Sequence, residues 1–133
     1  MRRMVTLFSI SPRLHIADYA RSVAFYRDVL GFTVDATFPE EAPQFALLSR
    51  NGVGLQIGGP EAKKAASDPP TVTLYLDVED ARQMHAALKD TVAIEWGPDV
   101  FFYQRREFAF RDPDGHLIIV SEETDDPPTV SED

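Results

Sequence analysis

The chain has 133 residues, 44% hydrophobic, 26% charged and 11% aromatic, the profile of one globular domain and not of a disordered segment. It has no cysteine, which excludes a disulfide framework, a thiolate metal site and a cysteine nucleophile together. Its net charge of −9 has the wrong sign for nucleic acid, and Glu122, Glu123, Asp125, Asp126, Glu132 and Asp133 place most of that excess in a C-terminal stretch with no base, which reads as a solvated tail.

Apolar Phe8, Ile10, Leu14 and Ile16 alternate with Ser9, Ser11, Arg13 and His15, the period-two pattern of a strand. Pro12 brings no N–H to a ladder, so this strand belongs at an edge or carries a bulge. Asp18 suits an N-cap. Val23, Tyr26 and Leu30, widened by Phe25 and Val29, then form a helical stripe that ends at Gly31. Strands follow at residues 32–38, 45–49 and 53–57, the last two joined by the hairpin dipeptide Asn51-Gly52. Periodicity fails over residues 59–70, a linker rich in Gly, Pro, Lys and small residues. The order then repeats. Val72, Leu74 and Leu76 alternate with Thr71, Thr73, Tyr75 and Asp77; Glu79 or Asp80 caps a helix with Ala81, Met84 and Leu88; strands are expected at 92–96, 107–111 and 116–121. Asp112-Pro113-Asp114-Gly115 closes the final hairpin.

The chain therefore reads βαβββ twice, module one over 7–58 and module two over 71–121, followed by the acidic tail at 122–133. Each half holds a sheet too small to stand alone. The expected fold is α+β, with the two tandem modules forming a curved mixed sheet, helices on one face and a cup-shaped cavity on the other. The apolar runs at 45–48 and 117–120 are far too short to span a bilayer. Ser9, Ser11, Pro12 and Arg13 interrupt any secretory core behind Arg2 and Arg3. A cytoplasmic protein is expected.

Two segments carry a family resemblance. Asp18-Tyr19-Ala20-Arg21-Ser22-Val23-Ala24-Phe25-Tyr26-Arg27-Asp28-Val29-Leu30-Gly31-Phe32 resembles the first signature of the vicinal-oxygen-chelate superfamily, which contains glyoxalase I, bleomycin resistance proteins and extradiol dioxygenases. Arg106-Glu107-Phe108-Ala109-Phe110-Arg111-Asp112-Pro113-Asp114-Gly115 resembles its second. Both are packing and turn motifs, so they speak for the scaffold and not for the chemistry. The enzymatic members hold a metal with His, Glu or Gln. The resemblance puts those ligand positions on Ser11, Gln56, Thr73 and Ile119, and only Gln56 is a residue type that the family uses. One amide, two hydroxyls and an isoleucine are a poor set for a divalent ion.

No metal, no cofactor and no catalytic residue are therefore expected. The expected ligand-binding set is Ser11, Arg13, His15, Gln56, Thr73, Tyr75, Trp96, Tyr103, Arg106, Phe108 and Ile119. His15 lies four residues from Ser11, about 13 Å on an extended strand, and reads as a polar or ligand-facing residue before a metal ligand. Arg13 and Asp77 either pair with each other or meet a ligand's charge. His85 is expected to be exposed on the second helix and His116 to be structural.

Two functions lead, with a structural or regulatory partner that holds a protein on the cup face as a third possibility. One is a small-molecule binder, similar to bleomycin resistance proteins, that sequesters an antibiotic or metabolite as a homodimer, an arrangement the edge at Pro12 would suit. The other is a metal-dependent glyoxalase-like lyase, isomerase or dioxygenase that recruits His15, Gln56 and either Asp77 or Glu122.

Overall fold

A computed structural model describes residues 4–6, 8–58 and 71–130. The expected linker at 59–70 lies outside them. The chain divides into two compact units, Met1–Ser67 and Asp68–Asp133.

The first unit contains β1 (Arg13–His15), α1 (Tyr19–Ala24), β2 (Thr33–Phe38), β3 (Phe45–Arg50) and β4 (Val53–Gly58). Its sheet order is β1-β4-β3-β2, with β1 parallel to β4 and the other pairs antiparallel. Asp18 caps α1, its carboxylate accepting from the Arg21 N–H at 3.1 Å. Such a cap is worth about 1 kcal/mol. The helix then widens into a π turn over Phe25–Val29, closed by Leu30 N–H on the Phe25 carbonyl at 3.2 Å. Gly31 takes φ +74° as the expected left-handed stop. Arg50 Nη1 donates to the Leu30 carbonyl at 2.8 Å, filling one of the helix's open acceptors. Tyr26, Leu30 and Phe32 pack with Leu14, Leu48, Leu55 and Ile57 in the buried core of this unit.

The N-terminal strand is shorter than its alternation suggests. Leu14 and Ile16 are buried, yet Phe8 and Ile10, in the same phase, are 96% and 92% exposed. Register explains the difference. Arg13 pairs with Gln56 in a parallel ladder, so residue 10 would reach Val53, where β4 begins, and residues 8 and 9 would have no strand to meet.

The second unit contains β5 (Thr73–Asp77), α2 (Ala81–Leu88), β6 (Trp96–Phe101), β7 (Arg105–Arg111) and β8 (Leu117–Glu123). Its order is β5-β8-β7-β6, again with one parallel pair, β5 beside β8. The two units thus share one topology, as the repeat implied. Asp80 caps α2 through the Gln83 N–H at 2.9 Å, and the Glu122 carboxylate accepts from Ala81 N–H at 2.8 Å. In the final turn the Asp112 carboxylate accepts from both Asp114 and His116 N–H at 2.9 Å, and Gly115 takes φ +87°. His116 is buried and structural, its Nδ1 accepting from Val72 N–H at 3.0 Å.

Two features of this unit depart from expectation. The strand expected at 92–96 lies instead at Trp96–Phe101 and runs through Gly97-Pro98. The register shifts between Trp96 and Asp99, so the pair sits in a bulge on an edge strand, where a missing N–H is tolerated. The acidic stretch, expected as a solvated tail, is partly built in. Glu122 and Glu123 belong to β8, and the Asp126 carboxylate pairs with Arg106. Thr129 binds β6 at two points, its N–H on the Val100 carbonyl at 2.8 Å and its hydroxyl accepting from Val100 N–H at 2.7 Å.

Candidate functional site

Strand alternation divides each sheet into a helix side and a far side, and the far sides carry most of the expected ligand-binding residues. In the first unit the register aligns Arg13, Gln56 and Leu47 in one row of the far face, with His15, Gly58 and Phe45 in the next. Arg13 donates to the Gln56 amide oxygen through Nε at 3.2 Å and Nη2 at 3.1 Å. The same guanidinium stands 4.2 Å above the Phe45 ring centre, so its charge meets an amide acceptor and an aromatic face at once. Gly58 permits this: a Cβ there would come 3.0 Å from Phe45 and 3.6 Å from Arg13. The Ser11 hydroxyl lies 3.9 Å from where a Cβ on Gly54 would stand. His15 is half-buried on the same face. Ser11, Arg13, His15 and Gln56 are therefore brought to one side of one sheet.

In the second unit three rows cross the far face. Tyr75, Ile119, Ala109 and Trp96 make the first, Asp77, Ser121, Glu107 and Asp99 the second, and Glu123, Arg105 and Phe101 the third. Tyr75 and Trp96 are exposed, with half-buried Ile119 in the row between them. Thr73 lies at the near end of β5, opposite Leu117. The Trp96 ring meets Phe101 edge-on at 5.8 Å, and Phe101 stacks on Tyr103 at 5.5 Å and 9°.

Sequence reasoning missed Glu107, which the fold buries at 1% exposure in the middle of this face. Its Oε1 accepts from the Tyr103 hydroxyl at 2.5 Å and its Oε2 from the Ser121 hydroxyl at 2.8 Å. Burial holds its carboxyl above the ordinary carboxylate range, partly offset by the Ser121 bond. Arg105 donates through Nε to the Ser121 hydroxyl at 2.8 Å and through Nη2 to Asp77. A continuous hydrogen-bonded line thus runs from Asp77 through Arg105, Ser121 and Glu107 to Tyr103. The signal for Glu107 was parity: if Phe108 and Phe110 are core, the residue between Arg106 and Phe108 must face the other way.

That parity also corrects two expected ligand contacts. Phe108 is fully buried on the helix side, edge-on to His85 at 5.2 Å. Arg106, 8% exposed, faces the same side, where it pairs with Asp126 and stands 4.0 Å from Glu122. A shift of one residue moves a strand's side chains to the opposite face, so neither joins Tyr75, Trp96 and Ile119. His85 is half-buried by the same contact and not exposed. Within the first unit Arg13 pairs with Gln56, and within the second Asp77 pairs with Arg105.

The four family ligand positions can be tested on these contacts. Gln56 offers the one family-type donor atom, and a guanidinium already occupies it with two hydrogen bonds. Ile119 lies between Tyr75 and Ala109 with no donor atom to offer. Ser11 and Thr73 contribute neutral hydroxyls. Such a set does not fit a divalent cation. Among the described residues no three His, Asp or Glu side chains are grouped as metal ligands.

A sequence model of the Glyoxalase/Bleomycin resistance protein/Dioxygenase superfamily matches residues 11–120. No curated protein matches at a significant level. Among solved structures, TnmS3, an antibiotic binding protein from a Streptomyces species, is 22% identical with a TM-score of 0.76, covering 92% of this chain and 100% of that one. A lactoylglutathione lyase from Agrobacterium tumefaciens is 19% identical with a TM-score of 0.70, covering 88% and 95%. A glyoxalase/bleomycin resistance protein/dioxygenase from Nocardioides is 19% identical with a TM-score of 0.72, covering 98% and 93%. At these identities the likeness is one of fold.

Proposed function

The chain belongs to the glyoxalase/bleomycin resistance protein/dioxygenase superfamily, and we propose that within it the protein is a small-molecule binder that sequesters an antibiotic or metabolite without a metal ion. The observation that carries this reading is the Arg13–Gln56 pair. The Arg13 guanidinium already donates two hydrogen bonds, at 3.1 and 3.2 Å, to the one family-type ligand oxygen, so a cation taking that oxygen would have to displace them and sit beside a like charge. The remaining far-face groups suit recognition by contact. Taken unit by unit, the first presents Ser11, Arg13, His15 and Gln56 as hydrogen-bonding groups on its far face, and the second presents Thr73, Tyr75, Trp96, Tyr103 and Ile119 as hydroxyls and apolar surface on its own. The likeness in fold to an antibiotic binding protein supports sequestration.

The working form of the binder is a homodimer. Phe8 and Ile10 continue the buried phase of β1 yet stand almost wholly in solvent beside an edge strand, and a second copy of the chain is the occupant that would cover them.

Two measurements test the function together. Elemental analysis of protein purified without chelator should find no stoichiometric transition metal, and a thermal-shift screen of aromatic antibiotics and metabolites should find compounds that raise the melting temperature. Stoichiometric Zn, Ni, Mn or Fe would overturn the reading in favour of the metal-dependent lyase, isomerase or dioxygenase.

A further inference from the structure

Glu107 is a buried carboxylate whose two oxygens accept from hydroxyls, while Arg105 on the same face spends its donors on Ser121 and Asp77. Burying a carboxylate is costly, and the packing of the core on the helix side does not require it. What the carboxylate does locally is hold one exposed ring. Tyr103 lies in the tight turn between β6 and β7, closed by Gln104 N–H on the Phe101 carbonyl at 2.9 Å, and is 45% exposed. An exposed aromatic on a turn ordinarily samples several rotamers and loses that freedom when it binds. Here its hydroxyl is tied into the sheet, its ring is stacked on Phe101, and Phe101 meets Trp96.

We propose that Glu107 is a positioning residue that pre-orients Tyr103, and through it Phe101 and Trp96, as an aromatic edge taking planar, π-rich ligands. The inference deepens the binder reading and rests on it for the ligand class. The restraint depends on ionisation. The carboxylate accepts from both hydroxyls, whereas the protonated acid turns one oxygen into a donor and weakens the hold on Tyr103. Other charged groups facing Glu107 are Asp99 on β6, Arg105 on β7, Asp77 on β5 and Glu123 on β8. Glu107→Gln leaves all four in place, so comparison with wild type isolates the carboxyl.

Trp96 is the only tryptophan and reports on this edge without a label. In ligand-free protein its emission should show a step as pH rises, centred above the ordinary glutamate range because burial raises the Glu107 carboxyl. The step should vanish in Glu107→Gln and in Tyr103→Phe, the latter keeping the ring and the fold. The binding probes are proflavine and anthraquinone-2-sulfonate, planar dyes of opposite charge, titrated against Trp96 quenching at neutral pH. Each single variant should weaken binding about three- to tenfold, the worth of one hydrogen bond, and the double variant no further, because both break the same link. A pH step that survives in Glu107→Gln, or dye affinities unchanged in Tyr103→Phe, would overturn the positioning role. A step lost in Glu107→Gln with neither dye bound by wild type would instead overturn the binder reading and the ligand class with it, while the positioning role stands.

Discussion

Gly97 and Glu107 approach so closely that a Cβ on Gly97 would stand 2.2 Å from the Glu107 carbonyl oxygen and 2.7 Å from the Cα of Phe108. Gly97 also takes φ +84°. The bulge that carries Trp96 is thus pressed onto the backbone that carries the buried carboxylate, and no side chain fits between them.

Gly97→Ala should accordingly destabilise the protein by at least about 2 kcal/mol, combining left-handed strain with overlap against backbone that has no rotamer to move. Urea unfolding measures the loss. Gly52→Ala is the control, since it shares a positive φ of +79° but meets nothing within 4 Å, and it should cost clearly less.

Glu107 predicts a pH dependence of definite sign. Its carboxyl is raised by burial above its ordinary value of about 4.5, so the folded chain keeps a proton that the unfolded chain has lost. The stabilisation this linkage contributes is complete below the ordinary value and fades as pH rises through the raised one. Glu107→Gln should flatten the fall in stability across that window in urea midpoints taken at several pH values.

Asp126 predicts the opposite slope. Its hydrogen bond with Arg106 holds its carboxyl below the ordinary aspartate range, so its contribution is present above about 3.8 and is lost as pH falls through the lower native value. Asp126→Asn should remove that acid-side loss. Thr129→Ala, which takes away the acceptor for Val100 N–H, should cost about 1 kcal/mol at any of these pH values.

Phe8→Ser with Ile10→Ser tests the second copy. Both side chains are exposed in the single chain, so the pair should change monomer stability by less than about 0.5 kcal/mol. Sedimentation equilibrium should nevertheless show the wild type as a dimer and the variant shifted toward monomer. A wild-type monomer at micromolar concentration, or a variant that dimerises equally well, would sink the proposed interface.

Local chemistry made much of the fold legible in the sequence. Asp18 and Asp80 cap their helices, Gly31 stops the first, Asn51-Gly52 turns with positive φ at both residues, and Asp112 to Gly115 closes the last hairpin. Each of these outcomes depends on backbone sterics and hydrogen bonds within a few residues, so the order βαβββ, twice, could be read directly. Ser11, Arg13, His15 and Gln56 were placed on one face because a period of two leaves only two choices.

Partnership and phase were decided by tertiary structure alone. Nothing in the neighbourhood of Arg13 announces that its guanidinium would close on Gln56, 43 positions away, or that Asp77 would be taken by Arg105. Phe108 and Arg106, expected among the ligand contacts, face the helix side instead, because the packing of α2 against that face of β7 sets the phase. The same packing turned Glu107 to the far face, between Tyr103 and Ser121. Side-chain alternation follows from covalent geometry and is carried by the chain itself; which face becomes interior depends on what the sheet meets, and that exists only once the unit has folded.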